Sequence, residues 1–150
     1  MYQIFDLVKW CCSVYNTDKL YGQNMDRTTG IQTYQCYING VWTPPFSGEY
    51  FDSDDPFTAK VWARIPRCGQ DDVDAAVAAA NAALNKGEWA DMHPSQRARL
   101  LNRFADILER EADHLARIEV QDNGKLLAEM RGQTGYLPQW FRYFAGLADK

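Results

Sequence analysis

The chain has 150 residues, of which 46% are hydrophobic and 24% charged, with a formal net charge of -4. That balance suits one globular domain with its own core and excludes a disordered tail; the arginines are scattered on a mildly acidic chain, so no basic footprint for nucleic acid forms. No apolar run is long enough to span a bilayer, and the four cysteines lack zinc-knuckle or Cys-x-x-Cys spacing and are joined by only two histidines, so neither a disulfide framework nor a transition-metal site is expected.

Residues 1–36 mix Tyr, Cys, Asn and Thr without a sustained period, and residues 26–30 form a polar, turn-prone patch. This stretch reads as a poorly ordered N-terminal extension. Met25 is a second candidate start, which would leave residues 1–24 outside the fold. Residues 1–12 are apolar but interrupted by Asp6 and Lys9, and they lack the charged leader and small-residue cleavage site of a secretion signal. The cytoplasm is the expected location.

From residue 37 the signals sharpen. Tyr37 and Ile38 face Val41 and Trp42 across Asn39-Gly40, a dipeptide that tolerates the positive φ angles of a tight hairpin. Residues 50–53 are another strand candidate. Residues 60–65 alternate, with Val61, Ala63 and Ile65 on one side and Trp62 and Arg64 on the other, as a half-buried strand does, and Pro66 ends the run. Gly69 or Gln70 then opens a long helix, with Asp71, Asp72 and Asp74 near the positive end of its dipole. Val73, Ala76, Val77, Ala80, Ala83 and Leu84 are its expected inner stripe, and Gly87 followed by Trp89 its stop.

His93 is an unusual cap for the next helix, with Pro94 in the first turn and Gln96 placed to reach back. Leu100, Leu101, Phe104, Ile107 and Leu108 give it one apolar face. After Glu111 the pattern predicts a bend and a second helix, capped by Asp113, carrying Leu115, Ile118 and Val120, and stopping at Asn123 and Gly124. The last helix is expected over residues 138–148, where Trp140, Phe141, Tyr143, Phe144 and Leu147 read as core. Gly132 and Gly135 in RGQTG, with no strand before them, read as a helix break.

Chemistry is sparse. A dinucleotide enzyme needs a glycine-rich turn between strand and helix so that backbone amides can approach phosphates, and none is present. Cys36 precedes the hairpin and Cys68 sits in a strand-to-helix turn; neither has a base nearby in sequence, and although a helix N-terminus could lower the pKa of Cys68, buried or inert thiols are expected. Asp122 closes a helix at its negative end, where a cation would offset the charge. Lys125 could supply it, and so could a hard monovalent ion held by this carboxylate and backbone carbonyls.

Together the fragments resemble a known family. YINGVW (37–42), VWARIP (61–66), DVDAAVAAANAAL (72–84), PSQRARLL (94–101), DNGKLLAE (122–129) and FRYFAGLADK (141–150) follow in the order seen at the start of NAD(P)-dependent aldehyde dehydrogenases. The resemblance implies an α/β fold with a Rossmann-type cofactor domain. Residues 37–150 would be its incomplete N-terminal part, mostly helical with an N-terminal β-hairpin and short strands. It implies oxidation of an aldehyde to a carboxylic acid with NAD or NADP, through a cysteine thiohemiacetal that passes hydride to the nicotinamide, after which a glutamate-activated water releases the acid. The family's catalytic cysteine, glutamate and oxyanion-holding asparagine lie beyond residue 150, so no catalytic or cofactor-binding residue is assigned, and the chain alone is expected neither to turn over aldehydes nor to bind NAD tightly.

Asp55-Pro56 stands where relatives read Asn-Pro. The resemblance also implies a K+ or Na+ site made by Ser53, Asp54 and Asp122. The expected partner is the missing C-terminal part or a homologous dehydrogenase subunit, with apolar surface left exposed without it. Two other readings stand beside this one: a non-catalytic helical module that binds a dehydrogenase or another protein, and a split enzyme completed by a separate chain.

Overall fold

The computed structural model describes residues 24–25, 30–148 and 150. Its elements are β1 (Asn24–Met25), β2 (Gln32–Thr33), β3 (Cys36–Ile38), β4 (Val41–Thr43), β5 (Tyr50–Asp55), β6 (Lys60–Pro66), α1 (Gln70–Lys86), α2 (Glu88–Asp91), α3 (Pro94–Asn123) and α4 (Leu127–Leu147). They fall into two compact units, one holding the described residues 24–25, 30–54 and 60–91, the other residues 55–59, 92–148 and 150.

In the first unit β3 and β4 pair antiparallel with Tyr37 opposite Trp42 and Ile38 opposite Val41. The turn between them is Asn39 at φ 53° and Gly40 at φ 79°, the left-handed pair expected of a two-residue hairpin. A second sheet has the order β1-β2-β6-β5. Its β2 runs parallel to β6, with Gln32 beside Ala63 and Thr33 beside Arg64. Thus β1 and β2 come from the stretch 1–36 that was expected to be an extension; residues 1–23 and 26–29 lie outside the described residues. Alternation along β6 places Ala63 at the fully buried position, as its sequence predicts.

Helix α1 starts after Gly69, as predicted. Its inner face keeps only Ala83 of the expected stripe: Val73, Val77 and Leu84 are 50%, 62% and 61% exposed, Ala76 and Ala80 are exposed too, and the other covered positions are Asp72, Ala75 and Ala79. The alanines in this helix occupy several faces, so hydrophobicity alone does not single out the stripe. The carboxylate at Asp72 decides the rotation instead, because it is pinned to the backbone.

The second unit is a helix pair. Residues 94–123 form one unbroken helix rather than two with a bend. No proline or glycine interrupts it, and the covered face continues from Leu101, Phe104, Ala105 and Leu108 through Ala112, Leu115 and Ala116. Asp113 is not a cap; it lies exposed in mid-helix, 2.8 Å from Arg117 and 2.6 Å from Arg131. The predicted stop holds: Gly124 takes φ 75° and donates its N–H to the Val120 carbonyl. At the other end the His93 ring accepts from the Ser95 N–H, so the cap partner is Ser95 and not Gln96.

Helix α4 begins eleven residues before the predicted start of 138, at Leu127, and RGQTG is helical throughout. Tertiary packing overrides the local breakers. Met130, Thr134, Pro138 and Ala145 are buried along one stripe, and the Thr134 hydroxyl lies within donating distance of the Met130 carbonyl (2.8 Å) and of the Ala112 carbonyl in α3 (2.9 Å). Phe141 completes the stripe against Phe104, edge to face at 4.8 Å. Among the described residues no helix is long and apolar enough to cross a membrane.

Candidate functional site

The one cluster of reactive side chains among the described residues lies in the first unit, where the hairpin meets the start of α1. Asp72 stands at the third position of the helix and reaches back, so that Oδ2 accepts the Gly69 N–H at 2.8 Å. Its Oδ1 accepts the Phe46 N–H at 3.0 Å. One carboxylate, 3% exposed, thereby caps the helix and ties down the loop after β4. Its negative charge also occupies the positive end of the helix dipole.

Two thiols sit beside it. The Cys36 and Cys68 sulfurs are 3.3 Å apart, within hydrogen-bonding distance, and the two sulfurs and an Asp72 oxygen all lie within 4.8 Å of one another. Burial, then Cys68, then Asp72 push the Cys36 thiol from its ordinary 9.0 up to about 11, because each disfavours a second negative charge. Thiolate, thiolate and carboxylate form a donor set for a soft divalent ion. However, both carboxylate oxygens already serve backbone amides, and the pair that remains is the dithiol.

Along the sequence Cys36 and Cys68 stand apart, with no base beside either. They are 32 residues apart, and only the return of the chain through β5 and β6 brings them together. The available signal was that each flanks a strand end. For the expected cation ligands, Ser53 and Asp54 lie on β5 in the first unit and Asp122 in the last turn of α3 in the second.

Among the described residues no strand-to-helix turn is glycine-rich. The strand-to-helix connection is 67–69, leading from β6 to α1; there the Gly69 N–H is taken by the Asp72 carboxylate and the Arg67 N–H by the Glu49 carbonyl. Gly132 and Gly135 lie inside α4 with no strand before them. A groove of about 290 Å³ between Tyr37–Gly40 of the hairpin and Ala76, Ala79, Ala80 and Ala83 of α1 is lined by no carboxylate, thiol, imidazole or amine.

The apolar surface is concentrated on α4. Tyr136, Leu137, Trp140, Tyr143, Phe144 and Leu147 are 40% to 60% exposed. The aromatic stripe read as core is therefore divided: Phe141 packs on α3, while Trp140, Tyr143, Phe144 and Leu147 are exposed. A helix that is apolar on both sides is built to be covered on both. The expected exposure of apolar surface is met here.

The aldehyde dehydrogenase family model matches residues 42–150, and this chain belongs to that family. It is 48% identical over 116 residues, 77% of its length, to acetaldehyde dehydrogenase 2 of Cupriavidus necator, of which it covers 22%. Over 120 residues, 80% of its length, it is 40% identical to (Z)-2-((N-methylformamido)methylene)-5-hydroxybutyrolactone dehydrogenase of Acinetobacter baylyi, of which it covers 24%.

Among solved structures, an NAD-dependent aldehyde dehydrogenase from Sinorhizobium meliloti superposes with a TM-score of 0.75 at 31% identity, over 84% of this chain and 26% of that one. Betaine aldehyde dehydrogenase of Staphylococcus aureus, solved with NAD+, gives 0.73 at 31% identity, over 77% and 23%. The chain spans about a quarter of the length of the relatives it matches.

Proposed function

We propose that these residues are the N-terminal scaffold of an NAD(P)-dependent enzyme that oxidises an aldehyde to a carboxylic acid. The observation that carries this reading is the family match from residue 42 to residue 150. The second apolar face of α4 supports it, because a helix shaped in this way packs between two neighbours. In this reading the remaining C-terminal part, or a homologous dehydrogenase subunit, covers that face. It also supplies the cysteine nucleophile, the glutamate base and the cofactor grip, because no turn described here makes a phosphate cradle.

The test is the intact mass of the product in its own cells, followed by assay of the purified product with a panel of aldehydes. A mass several times the chain's 17.2 kDa, with NADH or NADPH formed, is expected. A product of 17.2 kDa that forms neither nucleotide overturns the proposal. The exposed face of α4 also favours a second reading, a non-catalytic module that docks on a dehydrogenase. A discrete, stoichiometric complex between the 150-residue chain and a dehydrogenase, without activity of its own, is the result that would select it.

A further inference from the structure

The cluster around Asp72 has a chemistry that the dehydrogenase reading does not use. Cys68 is exposed and lies just before the start of α1, whereas Cys36 is half-buried at the first position of β3. Their sulfurs are 3.3 Å apart and need only close to the bond length of about 2.05 Å. The backbone on both sides is held: Cys36 is paired with Thr43 in the hairpin, and the amide after Cys68 is bound by Asp72.

We propose that Cys36 and Cys68 are a peroxide-sensitive dithiol that closes into a reversible disulfide, joining the hairpin to the start of α1.

The two cysteines take different parts. Access decides that Cys68 reacts first: its sulfur attacks one peroxide oxygen, the O–O bond breaks, and hydroxide leaves and takes up a proton as water. Cys68 is then a sulfenic acid. The Cys36 sulfur attacks the Cys68 sulfur, the S–S bond forms, the S–O bond breaks, and the departing hydroxide takes the Cys36 proton as a second water. Two thiols lose two electrons in total, and one hydrogen peroxide becomes two waters. A thiol reductant reverses the reaction by exchange. Burial and the neighbouring Asp72 keep the Cys36 thiol protonated near neutral pH, so it reacts as the resolving group rather than as the first target.

The consequence is mechanical. The disulfide closes the loop that carries β4, β5 and β6, and so restricts the unfolded chain.

The test treats the reduced 150-residue chain with a small excess of hydrogen peroxide, blocks remaining thiols and digests with trypsin. Cleavage places Cys36 in peptide 28–60, Cys68 in peptide 68–86, and both Cys11 and Cys12 in peptide 10–19, so each pairing has its own mass. The expected product is a monomer in which 28–60 is joined to 68–86, with loss of about 2 Da, reversal by dithiothreitol and an upward shift of several degrees in Tm. Cys36→Ser and Cys68→Ser each abolish the joined peptide, and Cys68→Ser leaves Cys36 unreacted. Oxidation of Cys68 to sulfinic acid with Cys36 still free to alkylate overturns the proposal. So does a bond from either cysteine to 10–19 or to a second chain.

Discussion

The two units keep their shape by different means. In the first, Pro45, Ala63 and Asp72 are the buried residues described, and Asp72 spends its carboxylate on two backbone amides from separate segments. In the second, small side chains at Ala105 and Ala116 and the larger Met130, Pro138 and Thr134 fill the space between two helices, while ion pairs stand at the rim. A short sheet with little to bury depends on directional bonds. A pair of long helices depends on shape. Substitutions should separate the two accordingly.

The largest effect is expected in the helix pair. Met130 is 1% exposed, and Met130→Ala leaves a cavity that α3 and α4 are too regular to close. A loss of about 2–5 kcal/mol is expected, read by urea denaturation. Hydrogen exchange at the Phe46 and Gly69 amides, which belong to the other unit, should be unchanged. Faster exchange at both would show the two units to be one cooperative system.

Next comes the polar anchor. Asp72→Ala removes the acceptor for both amides and should cost about 1–3 kcal/mol, with exchange at Phe46 and Gly69 speeding up together. Asp72→Asn keeps one carbonyl oxygen and should restore part of the loss. Equal behaviour of the two variants would show that the charge, rather than the geometry, does the capping.

The dithiol gives a smaller, pH-dependent effect. The folded state raises the Cys36 thiol from 9.0 to about 11, so between these values the unfolded chain loses a proton that the folded chain keeps. Stability of the reduced chain should therefore be at its full value below pH 9 and fall as pH rises through 11. Melting curves of Cys36→Ser over the same range should be flatter. An equal slope in both would remove Cys36 as the cause.

Smallest of all is the rim of the helix pair. The hydrogen bonds from Arg117 and then Arg131 lower the Asp113 carboxyl, so its contribution is present above the ordinary carboxylate range and lost as pH falls through the lowered value. The group is fully exposed, and Asp113→Asn should shift Tm only slightly, with the difference vanishing in high salt. A large or salt-resistant shift would place Asp113 among the determinants of packing rather than at the rim.

By itself the sequence determined what local chemistry controls. Asn39-Gly40 makes a hairpin because the pair tolerates positive φ; Gly124 ends a helix for the same reason; Asp72 caps α1 because its side chain reaches the Gly69 amide three residues back. The order of such fragments was also enough to indicate the family.

The tertiary structure decided whatever depended on partners distant in the chain. One continuous apolar stripe joined the two helices predicted over 94–123. The breakers Gly132, Gly135 and Pro138 were held helical because their helix packs along α3, and covering one side of α4 left the other aromatic residues exposed. The Cys36–Cys68 pair was invisible in sequence for the same reason: its 3.3 Å approach exists only once the intervening strands have folded back. Propensity and capping act over a turn or two of chain, whereas burial and thiol proximity are properties of the folded whole.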